Sequence, residues 1–323
     1  MAEPRNVLVT GGAGFIGSHL VERLLERGDR VFVLDSFNKF YDPSVKRHNV
    51  KAHLSHSAYK LIEGDLRCDA DLDRVFSEAK FDVVVHLAAM AGVRPSMEDP
   101  TLYMDINLVG TQKLIDRILA NGSPRLVFGS SSSVYGERSG ESFSEDDRVD
   151  NPLSPYAASK AAGELLCYAA HHTRGLQVMS LRFFTVFGPR QRPDLAIHKF
   201  CKLIDSGKPI DVFGDGSSKR DYTYVSDIVS GIEKSMEVPF SGYEIVNLGR
   251  SEPVVLMDMI QLIEKYLGKK AQIVHKPFQT GDMPYTFANI SKAEKLLGYK
   301  ANYSFEQGIK NFVEWFVAQK QAV

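Results

Sequence analysis

Two hydrophobic rhythms alternate along the first half of the chain. Short apolar runs at Asn6–Thr10, Arg30–Asp35, Tyr59–Glu63, Asp82–Leu87, Arg125–Ser130 and Gln177–Arg182 predict strands. Between them lie helical patterns. Phe15–Arg27 carries Ile16, Leu20, Leu24 and Leu25 on one face and stops at Gly28. Longer helical patterns fill Pro100–Asn121 and Pro155–Arg174. Strands alternating with helices predict an α/β fold, a Rossmann-type doubly wound parallel sheet covered on both faces. Val83-Val84-Val85 lacks any polar alternation, as a strand buried on both sides requires.

After about Arg182 the rhythm breaks. Gly188-Pro189, Arg192-Pro193, Lys208-Pro209 and Gly214-Asp215-Gly216 punctuate short elements. Glu244–Asn247 is expected to rejoin the sheet, and helices are expected at Leu256–Leu267, Ser291–Leu297 and Phe305–Gln319. The expected division is a sheet domain over residues 1–182, with a segment near 222–250 rejoining it. A smaller domain over residues 183–323 then covers a cleft.

Composition narrows the class. A formal net charge of -1 over 323 residues gives no reason to expect nucleic-acid or membrane binding, and 44% hydrophobic residues suit a globular protein. Met1–Asn6 is short and polar, no signal peptide is read there, and no apolar run approaches a membrane span. A cytoplasmic enzyme is the expectation. Cys68, Cys167 and Cys201 lie far apart without metal-ligand spacing, so no metal site is expected.

Chemistry enters with the glycines. Gly11, Gly14 and Gly17 follow a predicted strand and open a predicted helix; Gly12 with Gly14 and Gly17 gives the alternative G-x-G-x-x-G spacing. Glycine there allows a tight turn and lets backbone N–H groups reach a pyrophosphate at the helix N-terminus. Asp35 ends the second strand, 24 residues after Gly11. A carboxylate in that place accepts ribose hydroxyls and repels a 2′-phosphate, so NAD is expected rather than NADP. Lys39 is the only nearby residue read as opposing that preference. Asp65-Leu66 follows the third strand, where the adenine is expected. The small side chains of Leu87-Ala88-Ala89 let the backbone approach the cofactor, and Asn107 lies inside a long helix.

A second constellation lies further on. Ser130-Ser131-Ser132-Ser133 ends a buried strand, and Tyr156 and Lys160 sit four residues apart on one helical face. A free tyrosine titrates near ~10. Lys160 and a positive nicotinamide ring are expected to favour its phenolate, with Ser131 holding the reacting oxygen. This is equipment for taking a hydride from a secondary alcohol.

Thr10–Gly17, His86–Ala89, Ser130–Gly136, Tyr156–Lys160, Arg182–Pro189 and Arg220–Val225 together resemble the extended short-chain dehydrogenase/reductase family, in its nucleotide-sugar epimerase branch. The resemblance spans essentially the whole chain. It implies that Ser131, Tyr156 and Lys160 are the hydroxyl, base and lysine of catalysis. It implies cofactor contacts from Gly11, Gly14, Phe15, Ile16, Gly17, Asp35, Asn38, Asp65, Leu66, Leu87, Ala88, Ala89, Asn107, Ser130, Tyr156, Lys160 and Val186. Contacts to a UDP-sugar are implied for Val93, Arg94, Ser131, Ser132, Ser133, Tyr156, Thr185, Arg192, Val212, Phe213, Arg220 and Asp282. It also implies a homodimer built on the helices at Pro100–Asn121 and Pro155–Arg174.

Within the branch, dehydratases place Asp-Glu directly after the catalytic threonine, and decarboxylases a glutamate two positions after it. Ser132 and Ser133 stand there in this chain, which leaves hydride return and 4-epimerisation. The segments 35–43, 91–94 and 182–189 look like those of UDP-glucuronate 4-epimerases. Thr185 leaves room for a sugar carboxylate, and Arg192 follows on the next loop. Ser131 to Ser133 with Thr185 suit a neutral 6-hydroxyl equally, so UDP-glucose/UDP-galactose epimerisation stays open. A dehydrogenase releasing NADH and a non-catalytic nucleotide sensor on the same fold stay open behind it.

Overall fold

The structure, a computed structural model, describes residues 4–137, 142–277 and 285–321. Seven parallel strands form its central sheet: β1 (Asn6–Thr10), β2 (Arg30–Asp35), β3 (Tyr59–Glu63), β4 (Val83–His86), β5 (Arg125–Ser131), β6 (Val178–Phe183) and β7 (Tyr243–Leu248). Their spatial order is β7-β6-β5-β4-β1-β2-β3. The chain therefore starts mid-sheet and winds outward in both directions. The crevice beyond the carboxyl ends of β1 and β4 is where such a sheet binds a ligand. β4 is buried along its whole length, as its unbroken valines predict.

Helix α1 (Phe15–Arg27) ends at Gly28, whose φ of 94° closes the last turn through bonds to Leu24 and Leu25 carbonyls. Helix α2 (Pro43–Lys51) carries little apolar pattern, and the sequence reading passed over it. Its start is fixed locally: Pro43 is pre-shaped for the first turn and Asp42 accepts from Ser44 N at 2.9 Å. The helix Pro155–Arg174 runs as predicted, from the Ser154 cap to left-handed Gly175.

The predicted single helix at Pro100–Asn121 is instead three joined segments. Pro100–Met104 and Gly110–Ala120 flank a widened π turn at Asp105–Val109. The wide turn is buried at Asn107, whose side chain leaves the helix to bond the Met90 backbone.

In the second half, three small two-stranded sheets pair Val186–Phe187 with Thr223–Tyr224, Lys219–Asp221 with Pro253–Val255, and Ile210–Phe213 with Ile273–Lys276. The helix Val225–Glu237 turns back onto the sheet layer. There Arg23 and Arg27 of α1 pair with Glu233. The cores merge: Val7 and Val33 of the sheet belong to one buried cluster with Phe187, Tyr224 and Phe312.

Candidate active site

The carboxyl ends of the strands open into a cleft of about 460 Å³, within the usual size of a small-molecule site. At one end it is made largely of backbone. Gly11 has φ +73°, and a Cβ there would sit 2.8 Å from Ala88 N. A Cβ on Gly17 would meet Gly11 O at 2.2 Å. Only glycine lets the turn fold this tightly against β4. Gly14 caps α1 in extended conformation with no side-chain bond to the first-turn N–H groups, which leaves them for an anion. Two threonines lock the strand ends beneath. His86 bridges Thr10 Oγ1 at 2.7 Å and Thr111 Oγ1 at 2.9 Å, and Ala88 N donates to Thr10 Oγ1. Burial lowers His86 to about 3, so it works as a neutral brace.

Asp35, 5% exposed, lies beyond the glycines and lines the cleft. Its carboxylate accepts from Phe37 N at 2.9 Å and Ala13 N at 3.2 Å. Lys46 of α2 approaches it at 3.3 Å. Lys39, the cation read from sequence, is exposed instead. Asp65 also lines the cleft, with its carboxylate gripped by Arg67, which holds it below the usual carboxylate range. The glycine turn, open helix end and cleft-lining carboxylate fit a dinucleotide.

At the other end the site is made of side chains. β5 delivers Ser130 to Glu164, whose Oε1 accepts from its hydroxyl at 2.5 Å. Ser131, the next residue, faces the cleft. Its Oγ accepts from Ser133 N at 3.2 Å and lies 3.0 Å from Ser133 Oγ. Ser154 caps the following helix by accepting from Ala157 N at 3.1 Å, which places Tyr156 in the first turn. The Tyr156 phenol lines the same cleft wall as Ser131, close enough for the serine hydroxyl to act on it. Burial raises its pKa, while the Ser131 hydroxyl and the field of Arg192 pull it down. Lys160 was expected, together with a positive nicotinamide ring, to favour the phenolate. Its ammonium instead donates to Gly129 O at 2.6 Å, and burial lowers it to about 8 against the opposing pull of Cys167 and Glu164. Arg182 braces the same Glu164 with bonds of 2.9 and 2.7 Å.

Thr185, Val186, Arg192 and Arg220 complete the walls with Ser132, Ser133 and Val93. Asp221, next to Arg220, accepts from the backbone of Arg250, Ser251 and Ala288, so buried hydrogen bonds anchor this strand. Arg192 is paired with Asp194 at 2.8 Å and lies over the Phe40 ring.

Most of the residues named from sequence meet in this cleft, including Phe15, Ile16, Asn38, Leu66, Leu87 and Ala89. Of the described residues named from sequence, Asn107, Arg94, Val212 and Phe213 do not line it. Asn107 is spent on Met90 N, Met90 O and Ser159 Oγ. Val212 is fully buried among apolar neighbours, and Arg94 lies over the Phe213 ring, 4.8 Å from its centroid. Asp282 falls outside the described residues. Sequence reasoning missed Lys46, Phe40, Tyr41, Leu195 and Thr286, which do line the cleft. Phe40 and Tyr41 had two signals, their adjacency to Asn38 and their place in the 35–43 segment whose resemblance was noted.

A profile of the NAD dependent epimerase/dehydratase family matches residues 7–249. The chain belongs to that family. Its cofactor is NAD, as the Asp35 carboxylate predicts. Among similar family members, a UDP-glucuronate 4-epimerase of Thermodesulfobacterium geofontis is 42% identical over 309 residues, covering 95% of each chain. The solved UDP-glucuronic acid 4-epimerase of Bacillus cereus, in complex with UDP-glucuronic acid and NAD, is 36% identical with a TM-score of 0.92. It covers 98% of this chain and 100% of its own. The Thermus thermophilus UDP-glucose 4-epimerase in complex with NAD is 33% identical with a TM-score of 0.87, covering 97% of this chain and 99% of its own.

Proposed function

We propose that this family member interconverts UDP-glucuronate and UDP-galacturonate by epimerisation at C4. One observation carries the reading. The acidic residues lining the cleft, among those described, are Asp35 and Asp65, both at the adenosine end, while Ser131, Ser132, Ser133, Thr185 and Arg192 line the sugar end. Among the described residues lining the sugar end there is no carboxyl group to assist elimination of water, and Arg192 lines it as a cation for a sugar carboxylate. A buried carboxylate needs such charge-assisted bonds.

The glycine turn and Asp35 would hold NAD, which would supply hydride acceptance and return at C4 of the sugar. The protein's own part is proton handling. Tyr156 Oη accepts the C4 hydroxyl proton while Ser131 holds the same oxygen. The C4–H and O–H bonds break as the C4 carbonyl forms. The C4–H bond reforms on the opposite face of the carbonyl, and the O–H bond reforms as Tyr156 returns its proton. Lys160, one helical turn beyond Tyr156 and tied to Gly129 O, brings a cation to the same cleft while its ammonium is protonated. A turn of the keto sugar in the cleft changes the face, and no net oxidation results.

A second reading rests on the Arg192–Asp194 pair, which offsets the arginine's charge. With it the serine row and Thr185 would hold a neutral 6-hydroxyl, as in UDP-glucose/UDP-galactose epimerisation.

The test is incubation of the holoenzyme with UDP-glucuronate, UDP-glucose and UDP-N-acetylglucosamine in heavy water without reductant. The C4 epimer should form without deuterium at C4, most efficiently from UDP-glucuronate. Arg192→Ala should lower kcat/KM on UDP-glucuronate by about tenfold to hundredfold more than on UDP-glucose. Carbon dioxide or a stable 6-deoxy-4-keto product would overturn the reaction. A neutral sugar preferred by the wild type would overturn the substrate.

Two further parts of the reading are a homodimer and a cytoplasmic setting. Val109, Leu165 and Tyr168 stand 47%, 68% and 51% exposed on the segments 105–109 and 155–174, a face suited to a second copy. Among the described residues no helix is long and apolar enough to cross a membrane.

A further inference from the structure

Asp35 is the residue that turns away a 2′-phosphate, but its charge is not alone. Lys46 reaches its Oδ1 at 3.3 Å, with the two side chains 8% and 4% exposed. The ammonium also lies 3.4 Å from Asn38 Oδ1 and 5.4 Å from the centroid of the Tyr41 ring. Its helix begins at a proline and an Asx cap, so the cation is held from several sides before any ligand arrives. Asp35, Asn38, Tyr41 and Lys46 all line the cleft. Neighbouring Arg47 is committed elsewhere, to Glu63 at 2.7 Å.

We propose that Lys46 is a second specificity-determining residue at the adenosine end, and that it forms a latent 2′-phosphate site which Asp35 keeps closed. The pair is close to neutral as a unit. An anion approaching it meets a carboxylate and an ammonium one hydrogen bond apart. Asp35 prevails in the native chain because its carboxylate lines the cleft beside the glycine turn, held there by Phe37 N and Ala13 N. An amide in its place keeps an acceptor for Phe37 N but removes the negative charge. Lys46 is then a buried cation without a counter-charge, a state that strongly favours capture of an anion. A phosphate on the ribose supplies that anion with charge-assisted bonds.

The test measures binding by calorimetry, with full-length protein whose cofactor has been exchanged out and with no sugar present. The proteins are wild type, Asp35→Asn, Lys46→Gln and the double variant. The probes are NAD, NADP, 5′-AMP and adenosine 2′,5′-bisphosphate. Wild type should prefer NAD. Asp35→Asn should bind NADP and the bisphosphate about tenfold to hundredfold more tightly than NAD and 5′-AMP. The double variant should lose that gain. A gain that survives Lys46→Gln would overturn the proposal, as would a folded Asp35→Asn protein with no gain. Thermal unfolding identifies a variant that has not folded. Should Asp35→Asn not fold, Lys46→Gln alone decides. Its affinity for NADP relative to NAD should fall about tenfold, because Lys46 no longer offsets the repulsion. An unchanged ratio would overturn the proposal.

Discussion

The two ends of the cleft are built by different means. At the adenosine end the fit comes from backbone: a left-handed Gly11, a Gly17 with no room for a Cβ, and an uncapped helix start. At the sugar end it comes from side chains borrowed from separate segments. Ser131 ends a strand, Tyr156 and Lys160 begin a helix, and Thr185, Arg192 and Arg220 follow on later pieces. A pocket made of backbone is fixed by a few residues at fixed spacing and serves one ligand. A pocket made of side chains can change its substrate while the fold stays the same. The solved relatives fit this contrast, since both the Bacillus and Thermus proteins were captured with NAD but are named for different sugars.

That contrast can be broken from either end. Tyr156→Phe keeps the ring and removes the ionisable oxygen. Turnover should fall by about 10²–10⁴-fold while calorimetric NAD affinity holds, and a variant with near-normal turnover would remove Tyr156 as the base.

Lys160 sharpens the contrast through pH. Its ordinary value of 10.5 is lowered by burial to about 8 in the folded protein. Between those values the unfolded chain holds a proton that the folded chain has released. Stability therefore rises with pH across that window, and below about 8 the penalty of the buried charge is constant and complete. Relative to Lys160→Met, cofactor-free wild type should gain on the order of 3 kcal/mol from pH 8 to 10.5 in denaturant titrations. Parallel curves would refute the buried-charge account.

Gly17→Ala acts only at the backbone end. The added methyl must displace Gly11 O, and such overpacking typically costs ~1–3 kcal/mol. NAD should bind about tenfold to hundredfold more weakly, and the environment of Tyr156, read by NMR, should stay as it was. A disturbed Tyr156 would show that the two ends are not separable.

The same contrast explains what could be read from the sequence. The central strands were visible as apolar runs because a parallel strand buried on both faces carries little else, and the edge strands Tyr59–Glu63 and Tyr243–Leu248 were visible through their shorter apolar stretches. Pro155–Arg174 was visible from end to end because Ser154, Pro155 and Gly175 mark its limits. The helix Pro43–Lys51 was not, since its apolar residues are few and its polar ones face both Asp35 and solvent. Lys46 stayed hidden with it, because pairing across an eleven-residue gap depends on how the intervening loop folds. Asn107 was misassigned for a similar reason: only the π turn reveals that its amide braces the Met90 loop. Lys160 was expected to act directly on Tyr156, and only the structure shows the Gly129 carbonyl that holds it.

The seventh strand has a consequence for synthesis on the ribosome. Tyr243–Leu248 covers the outer edge of Val178–Phe183, and Val225–Glu237 lies over α1. Arg125, at the start of β5, donates to the carbonyls of Met236 and Val238 at 2.9 Å. A nascent chain that has emerged only as far as residue 183 thus presents an open strand edge and a bare apolar layer, the condition that invites edge-to-edge pairing between neighbouring chains. About sixty-five more residues must follow before that edge is sealed. That stretch is the interval in which the open edge can pair wrongly before its own strand seals it.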